Sequence, residues 1–386
     1  MKNGRIEELD MLRGLAFIAV VYQHVIGQFI QKPDMPYYEA VVLGAVFNLL
    51  KFAVPLFVFI TGLTLFYHYF EKMDYGSFIK KRMKDIYLPF TVWTIIYYIY
   101  TYHEYLHLAN RTWLKNIAVE LIAPTYGYHL WYIVMVFQFY LLYPILLYGF
   151  KRFSRKLSVP YLMGILAVFY GLLMWASQKY LPAHMADYPS WLQTFLKYRT
   201  SNFMFYLFYF FLGGLAALHL NPWRRWVHSS GFWNLCLFIG LYIWVTYELF
   251  NGSPRGGPLN LGYSTSLKLS MFLFTVSHIL CLYKLALQST ERKSFLSFMF
   301  GFIGKYSFGG YLMHALVLGL TLKWLITEKF NSSYVITSLV VMAIVCLFSI
   351  LLTFLLSHIP WARYLVGTVP LKKVGKPAEQ HSSKAI

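Results

Sequence analysis

The sequence is poor in charged residues, and in acidic ones above all. Only 13% of the 386 residues are Asp, Glu, Lys or Arg, whereas 58% are hydrophobic and 20% are aromatic. A soluble domain of this length needs far more polar surface, so the composition excludes an ordinary soluble protein and indicates many membrane spans. The net charge of +19 does not require a nucleic-acid partner, because the Lys and Arg residues lie mainly at the edges of the apolar runs.

Cysteine is also scarce. Cys236, Cys281 and Cys346 all lie inside apolar runs, and their spacing gives neither a disulfide framework nor a metal-binding motif. His103 and His107 have the i, i+4 spacing of helical metal ligands, but no zinc motif accompanies them, so we expect no metal site. The first apolar run has no small-residue cleavage site, and we expect it to be retained rather than removed as a signal peptide.

The long apolar runs predict the fold. A spanning helix needs about 20 mostly apolar residues, and ten such runs are separated by polar or Gly- and Pro-rich stretches. We therefore predict an all-α integral membrane protein, a bundle of about ten transmembrane helices, formed by residues 1–360. The ten runs occupy residues 11–30, 43–69, 86–106, 130–150, 159–179, 202–220, 231–250, 266–287, 305–326 and 335–357.

The distribution of basic residues predicts the orientation of these spans. If the N-terminus is cytoplasmic, the inside segments carry 21 Lys and Arg residues and the outside connections carry 10. Cytoplasmic loops are enriched in Lys and Arg, so we predict that both termini are cytoplasmic and that residues 361–386 form a basic cytoplasmic tail. Many of these basic residues need no role beyond contact with anionic lipid of the inner leaflet.

Two ionisable residues lie in the first span. His24 lies eleven positions after Arg13, which corresponds to three helical turns plus about 20°. Both residues therefore lie on one face of the helix, about 16 Å apart along its axis. Ionisable groups within a span usually mark function. Histidine suits a general base, and an arginine at the cytoplasmic edge suits an anion. The pair predicts a long anionic ligand that enters from the cytoplasm and reacts at His24. The alternative is an interhelical hydrogen bond for His24 and a snorkelling Arg13.

The stretch that carries this pair resembles the first helix of the acyltransferase-3 membrane family, in which a basic residue, ten intervening residues and a histidine recur. Four further stretches are similar to family motifs and occur in the family's order, so the resemblance covers roughly residues 5–360. Thr61 and Asp85 depart from the usual family residues. The five stretches are LDMLRGLAFIAVVYQH (9–24), FAVPLFVFITG (52–62), KKRMKDIYLPF (80–90), HLWYI (129–133) and GKYSFGGYLMH (304–314).

The resemblance implies an enzyme of the bacterial plasma membrane. Such an enzyme moves an acyl group from cytoplasmic acyl-coenzyme A, either acetyl- or succinyl-coenzyme A, to a hydroxyl of an extracytoplasmic glycan. The chain also resembles the stand-alone members that modify exopolysaccharides such as poly-N-acetylglucosamine, and a polysaccharide synthase is the candidate partner. Acyl-coenzyme A is a co-substrate here, and no permanently bound cofactor or nucleic acid is expected.

The same resemblance implies roles for the other candidate residues. Lys51, near the middle of the second span, would stabilise a thioester oxyanion or hold acceptor hydroxyls, and the alternative is a structural ion pair. Pro55 and Gly62, which follow Lys51, predict a broken or bent helix there. Arg82 would join Arg13 on the coenzyme A phosphates, although lipid contact would also explain basic residues there. We also expect Ser307, Tyr311 and His314 to line a donor tunnel, and the alternative is simple helix packing. We expect His129, Trp131 and Tyr132 to form a platform for the acceptor, and the alternative is an interfacial aromatic belt.

A second class of function uses the same features. Ten helices with histidine and lysine near the midplane would also serve a transporter or flippase for a glycan or lipid-linked intermediate. An inverted repeat or acidic relay residues would favour that carrier, and neither is apparent in the sequence. The five ordered motifs therefore favour the acyltransferase.

Overall fold

A computed structural model describes residues 6–102, 112–125, 127–254, 259–327 and 333–367. These residues form helices joined by turns, and no strand occurs among them, as predicted for an all-α protein. The predicted tail lies outside the described residues from position 368 onward, as do His103 and His107. The described helices are α1 (Glu8–Phe29), α2 (Tyr37–Leu49), α3 (Ala53–Tyr69), α4 (Tyr75–Arg82), α5 (Leu88–Tyr102), α6 (Thr112–Glu120), α7 (Trp131–Ser154), α8 (Val159–Trp175), α9 (Leu181–Ala183), α10 (Ser190–Lys197), α11 (Leu207–Leu218), α12 (Leu220–Ser229), α13 (Gly231–Asn251), α14 (Leu269–Glu291), α15 (Phe295–Thr327), α16 (Tyr334–Ser357) and α17 (Arg363–Val366).

Eight helical segments of the described residues are long and apolar enough to cross a membrane. A ninth results if Phe203–Leu218 and Leu220–Ser229, which meet at a bend of 107°, count as one span. The remaining predicted span, residues 86–106, corresponds to α5, whose 15 residues are too few for that criterion, and positions 103–106 lie outside the described residues. The difference from the ten predicted spans therefore lies in α5 and in the bent pair.

The second predicted span is broken, as expected from its proline. It runs from Tyr37 to Tyr69, but α2 and α3 are separated by a 3₁₀ turn at Leu50–Phe52 that carries Lys51. Pro55 has no N–H to donate to the carbonyl of Lys51 four residues earlier, so the α-helical hydrogen bonding is interrupted at that point. The turn exposes irregular backbone at membrane depth, which is tolerated where the backbone is buried in protein or lines a cavity.

Gly62 has a different role from the bend expected there. A Cβ at Gly62 would overlap the carbonyl oxygen of Phe210, and one at Gly213 would overlap the carbonyl oxygen of Phe59. These glycines let the backbones of α3 and α11 touch, which is a common use of small residues between membrane helices. The break predicted from Pro55 and Gly62 lies at Leu50–Phe52, and Gly62 itself is a packing contact inside a continuous helix.

Helix α1 is the central element of the bundle. It packs against α3, α14, α15 and α16, and its contact with α15 is a direct backbone approach. A Cβ at Gly14 would overlap the carbonyl oxygen of Phe300, and a Cβ at Gly304 would overlap that of Asp10. Because Asp10 and Gly14 lie beside Gly304 while His24 lies beside His314, the two helices run in the same direction, as the predicted topology requires.

Polar contacts fix the beginning of α1. The guanidinium of Arg224 donates two hydrogen bonds, of 2.9 and 3.0 Å, to the buried carboxylate of Glu8, and the Tyr283 hydroxyl donates a third, of 2.9 Å. Two residues further on, Asp10 accepts a hydrogen bond of 2.8 Å from Arg13. Glu8 thus ties α1 to α12 and α14, and a paired, hydrogen-bonded charge of this kind is costly to break.

Candidate active site

Three histidines that are far apart in the sequence meet in the structure. The ring centroid of His24 lies 5.3 Å from that of His314 and 6.3 Å from that of His129, and the last two lie 4.6 Å apart. His24 comes from α1, His129 from the turn before α7 and His314 from α15. His129 and His314 are 1% and 0% exposed, so the cluster lies inside the bundle.

The hydrogen bonds of the cluster are incomplete. His314 Nδ1 lies 2.6 Å from the carbonyl oxygen of Tyr311, and because a carbonyl can only accept, Nδ1 carries the proton in this contact. His314 Nε2 and both ring nitrogens of His129 are buried and have no hydrogen-bond partner among the described residues. Buried polar atoms without partners cost about 1–3 kcal/mol each, and His129 and His314 bring three of them together.

The cluster is not a metal centre in the described part of the chain. Within those residues, no group of three His, Cys, Asp or Glu side chains is arranged to hold a metal ion. The rings instead pack on one another and on tyrosines. The Tyr128 ring lies 5.0 Å from His24, and the Tyr97 ring lies 5.2 Å from His129.

Lys51 is a cationic group near His24. Its ammonium is 4.2 Å from the centroid of the Phe47 ring, and it is near enough to His24 for their charges to interact. The Gln23 side chain donates a 2.8 Å hydrogen bond to the carbonyl of Leu50, which ties the turn carrying Lys51 to α1. No carboxylate among the described residues forms a salt bridge with Lys51, so these residues offer no support for a structural ion pair.

A cavity of about 490 Å³ is lined by the first turns of α1, by α3, by the segment between α4 and α5, by α7 and by the middle of α15. It contains all the predicted donor-binding residues except His314, namely Arg13, Arg82, Ser307 and Tyr311, and its volume falls in the range of small-molecule sites. Arg82 lies 5.0 Å above the ring of Tyr140, and its buried Nε has no hydrogen-bond partner among the described residues.

Tyr311 connects this cavity to the histidines. Its side chain lines the cavity, its hydroxyl donates a hydrogen bond to the backbone carbonyl of His129, and its ring is 5.6 Å from that of His314. Ser307, one turn earlier, lines the same cavity, whereas His314 does not.

The three predicted acceptor residues do not form one platform. His129 belongs to the histidine cluster, whereas Tyr132 lines the cavity and packs 5.7 Å from Tyr311. Trp131 lies apart from both, with its ring 6.2 Å from that of Tyr206. Residues that are adjacent at the start of a helix point about 100° apart, which separates these side chains.

Several residues of the site were missed by the sequence reasoning. Lys81 and Lys305 add two cations to the cavity, and Tyr97 and Tyr128 add rings to the histidine cluster. Lys81 and Lys305 lie inside recognised motifs and Tyr128 immediately precedes one, so proximity to the motifs was a usable signal for these three. Tyr97 carries no such signal, and only the packing of α5 brings its hydroxyl to the Leu312 carbonyl, at 2.9 Å.

A larger cavity, of about 1160 Å³, lies between the end of α3, α4 and the end of α7. None of the residues predicted for the site lines it. Lys81 is the residue that lines both this cavity and the smaller one among the described residues.

Comparison with known proteins gives one match. The family model described as acyltransferase domain, Acyl_transf_3, matches residues 6–358, nearly the whole chain. No curated protein and no solved structure gives a significant match. The match favours an enzyme over the carrier alternative, and it agrees with the multi-pass helical fold. The chain therefore belongs to the acyltransferase-3 family and is a membrane acyltransferase.

Proposed function

We propose that the protein transfers an acetyl or succinyl group from cytoplasmic acyl-coenzyme A to a hydroxyl of an extracytoplasmic glycan. One observation carries the proposal. Arg13, Arg82 and Tyr311 line one cavity, and Tyr311 also contacts His129 and His314 of the buried cluster that includes His24. Such a site binds an anion at one end and supplies proton acceptors at the other.

The basic end suits the donor. Coenzyme A is polyanionic, and guanidinium groups bind phosphate oxygens with paired hydrogen bonds. Arg82 has an unpaired buried Nε in the described part of the chain, and Lys81 and Lys305 add positive charge. The uncharged pantetheine arm would then follow Ser307 and Tyr311 toward the histidines, and its thioester would reach His24.

The reaction moves the acyl group from the sulfur of coenzyme A to the oxygen of a sugar hydroxyl. His24 takes the proton of the sugar hydroxyl, whose oxygen attacks the thioester carbonyl carbon. Lys51 stabilises the negative oxygen of the tetrahedral intermediate. The carbon–sulfur bond then breaks, and the leaving thiolate takes from His24 the proton that the sugar hydroxyl gave up. The products are an ester and free coenzyme A. A covalent acyl-histidine is a second route with the same products.

The acceptor is proposed as a glycan of the exopolysaccharide class, with poly-N-acetylglucosamine as the first candidate. Its entry from outside the membrane agrees with the predicted topology, in which His24 lies beyond the midplane of a bacterial plasma membrane. Of the three predicted acceptor residues, His129 alone lies in the histidine cluster, and it would hold the acceptor through its ring nitrogens. A polysaccharide synthase would supply the polymer.

Reconstitution in liposomes tests this function. Wild-type protein and the His24→Ala variant are given radiolabelled acetyl- and succinyl-coenzyme A on one side and glucosamine oligosaccharides on the other. We expect label transfer and thiol release by the wild type with one of the two donors, and a loss of at least about 100-fold in His24→Ala with donor binding retained. Oligosaccharide movement without acylation would contradict the proposal and support a carrier.

A further inference from the structure

His314 is placed beside His24 by the register of two helices. Gly14 and Gly304 form the close crossing of α1 and α15, and each histidine lies ten residues beyond the glycine of its own helix. Because the helices run in the same direction, equal displacements of about 15 Å bring the two rings level. His314 was expected to line the donor tunnel, but its ring belongs to the histidine cluster.

The protonation of His314 is fixed by its own helix. The contact of Nδ1 with the Tyr311 carbonyl places the proton on Nδ1, so in the neutral ring Nε2 holds a free lone pair. That atom is buried and has no donor among the described residues. His314 Nε2 can therefore accept a hydrogen bond from an N–H group that turns toward it during the reaction.

Two neighbouring rings could supply that N–H, and the geometry favours His24. An in-line hydrogen bond between two imidazoles holds their centroids roughly 5 Å apart. His24 lies at 5.3 Å with its plane tilted by 30°, which fits such a bond. His129 lies at 4.6 Å with its plane at 71°, which is an edge-to-face packing contact. The other titratable groups that face this pair are Tyr97, Tyr128, Tyr311 and Lys51.

We propose that His314 is the positioning residue of the acyl transfer, and that its Nε2 accepts an N–H hydrogen bond from His24 while His24 takes the proton of the acceptor hydroxyl. This inference rests on the proposed function. The proton from the hydroxyl moves to one nitrogen of His24, and the N–H on the other nitrogen is held by His314. When the carbon–sulfur bond breaks, the thiolate takes the proton from His24, and both rings return to the neutral state.

The role resembles that of the carboxylate in a serine hydrolase triad, which orients the histidine and stabilises its charged form. A neutral imidazole replaces the carboxylate here. That choice suits a membrane interior, where an isolated ionised carboxylate is expensive to bury. The positive charge that develops on His24 is shared with His314, so no permanent ion is needed.

Two substitutions of His314 separate this role from packing. The amide of His314→Gln places an acceptor near the position of Nε2, whereas the amide of His314→Asn reaches only the position of Nδ1. We expect His314→Asn to lower kcat at least about tenfold with little change in KM for acyl-coenzyme A, and His314→Gln to keep most of the activity. The assay is the liposome transfer reaction, with thermal unfolding of each purified variant measured in parallel.

His278 provides a matched control. It is a buried histidine on α14 whose Nδ1 also has no partner among the described residues, but it lies among Phe52, Phe238 and Phe274, and no role in the site is assigned to it. We expect His278→Asn and His278→Gln to have equal kcat values. A His314→Asn variant as active as His314→Gln would overturn the inference.

Two further results distinguish the possible failures. The contrast between His314→Asn and His314→Gln should persist when His129 is replaced by Phe, and its disappearance would assign Nε2 to His129 and overturn the inference. If the wild type transfers acyl groups, His24→Ala does not, and the His314 variants match the wild type, only the role of His314 fails. Absence of transfer by the wild type with every donor and acceptor would instead remove the proposed function itself.

Discussion

At the scale of single residues, several polar groups of the site have no partner among the described residues. Lys51 forms no salt bridge with a described carboxylate, and the Arg82 Nε and the His129 ring nitrogens have no described hydrogen-bond partner. Elsewhere in the same bundle, buried charges are well paired, as with Glu8 and Arg224 or with Glu248 and Lys268 at 2.7 Å. The contrast indicates that the unpaired groups are kept for a ligand.

Replacement of Lys51 by Met is expected to lower kcat by about 10²–10³-fold, because it removes the cation proposed to stabilise the oxyanion. Lys51→Arg keeps the charge and should retain more activity than Lys51→Met. Steady-state transfer kinetics in liposomes measure both variants. Equal kcat values for Lys51→Met and the wild type would remove Lys51 from the chemical step.

Replacement of Arg82 by Gln is expected to raise KM for acyl-coenzyme A about tenfold or more, with a smaller effect on kcat, because a phosphate contact is lost. The effect should shrink as the salt concentration rises, since exposed charges are screened. Arg152→Gln, a neutralisation of a basic residue on the same predicted face but outside the cavity, serves as the control. Similar KM values for the two variants would favour a lipid-binding role for Arg82.

At the scale of the helices, features that depend on neighbouring residues were predictable from the sequence, whereas contacts between distant helices were not. Pro55 predicted a break in the second span, and the structure has a 3₁₀ turn at Leu50–Phe52. The Asp10–Arg13 pair follows from a three-residue spacing on one helix. The meeting of His24 with His314 depends on which of the other helices touches α1, and that information is not local. The separation of Trp131 from His129 was missed because α7 begins between them.

Replacement of Gly304 by Ala is expected to separate α1 from α15. The new Cβ would overlap the backbone carbonyl of Asp10, which cannot rotate away, so we expect a loss of about 1–3 kcal/mol and a fall in transfer activity. Gly301→Ala, three residues earlier on the same helix, has no described atom within 4 Å of the new Cβ and should behave like the wild type. Thermal unfolding and transfer assays measure both; equal results would show that the crossing tolerates a methyl group.

At the scale of the whole molecule, the fold class was predictable and the number of spans less so. Hydrophobic runs are a strong signal because the bilayer requires continuous apolar helices. The bend of 107° between α11 and α12 falls at residue 220, the predicted end of the sixth span, where the apolar run gives way to Asn221, Pro222, Arg224 and Arg225. The orientation of the bundle stays a prediction from the distribution of Lys and Arg.

Thiol labelling measures that orientation. In a chain without its three native cysteines, a cysteine at Ser154 is expected to react with a membrane-impermeant reagent only when the cytoplasmic side is accessible. A cysteine at Ser190, in the segment predicted to lie outside, is expected to react in intact cells. The opposite pattern would place the basic cavity outside and would contradict donor entry from the cytoplasm.

The hydrogen bonds from Arg224 and Tyr283 to Glu8 also have a consequence for how the protein is made. Glu8 is synthesised 216 residues before its partner Arg224. At about 5–20 residues per second, the carboxylate waits on the order of ten to forty seconds before its arginine exists. We therefore expect chains truncated before Arg224 to be degraded much faster than full-length chains, which pulse-chase labelling would measure. The first helix enters the membrane early and reaches its final place late.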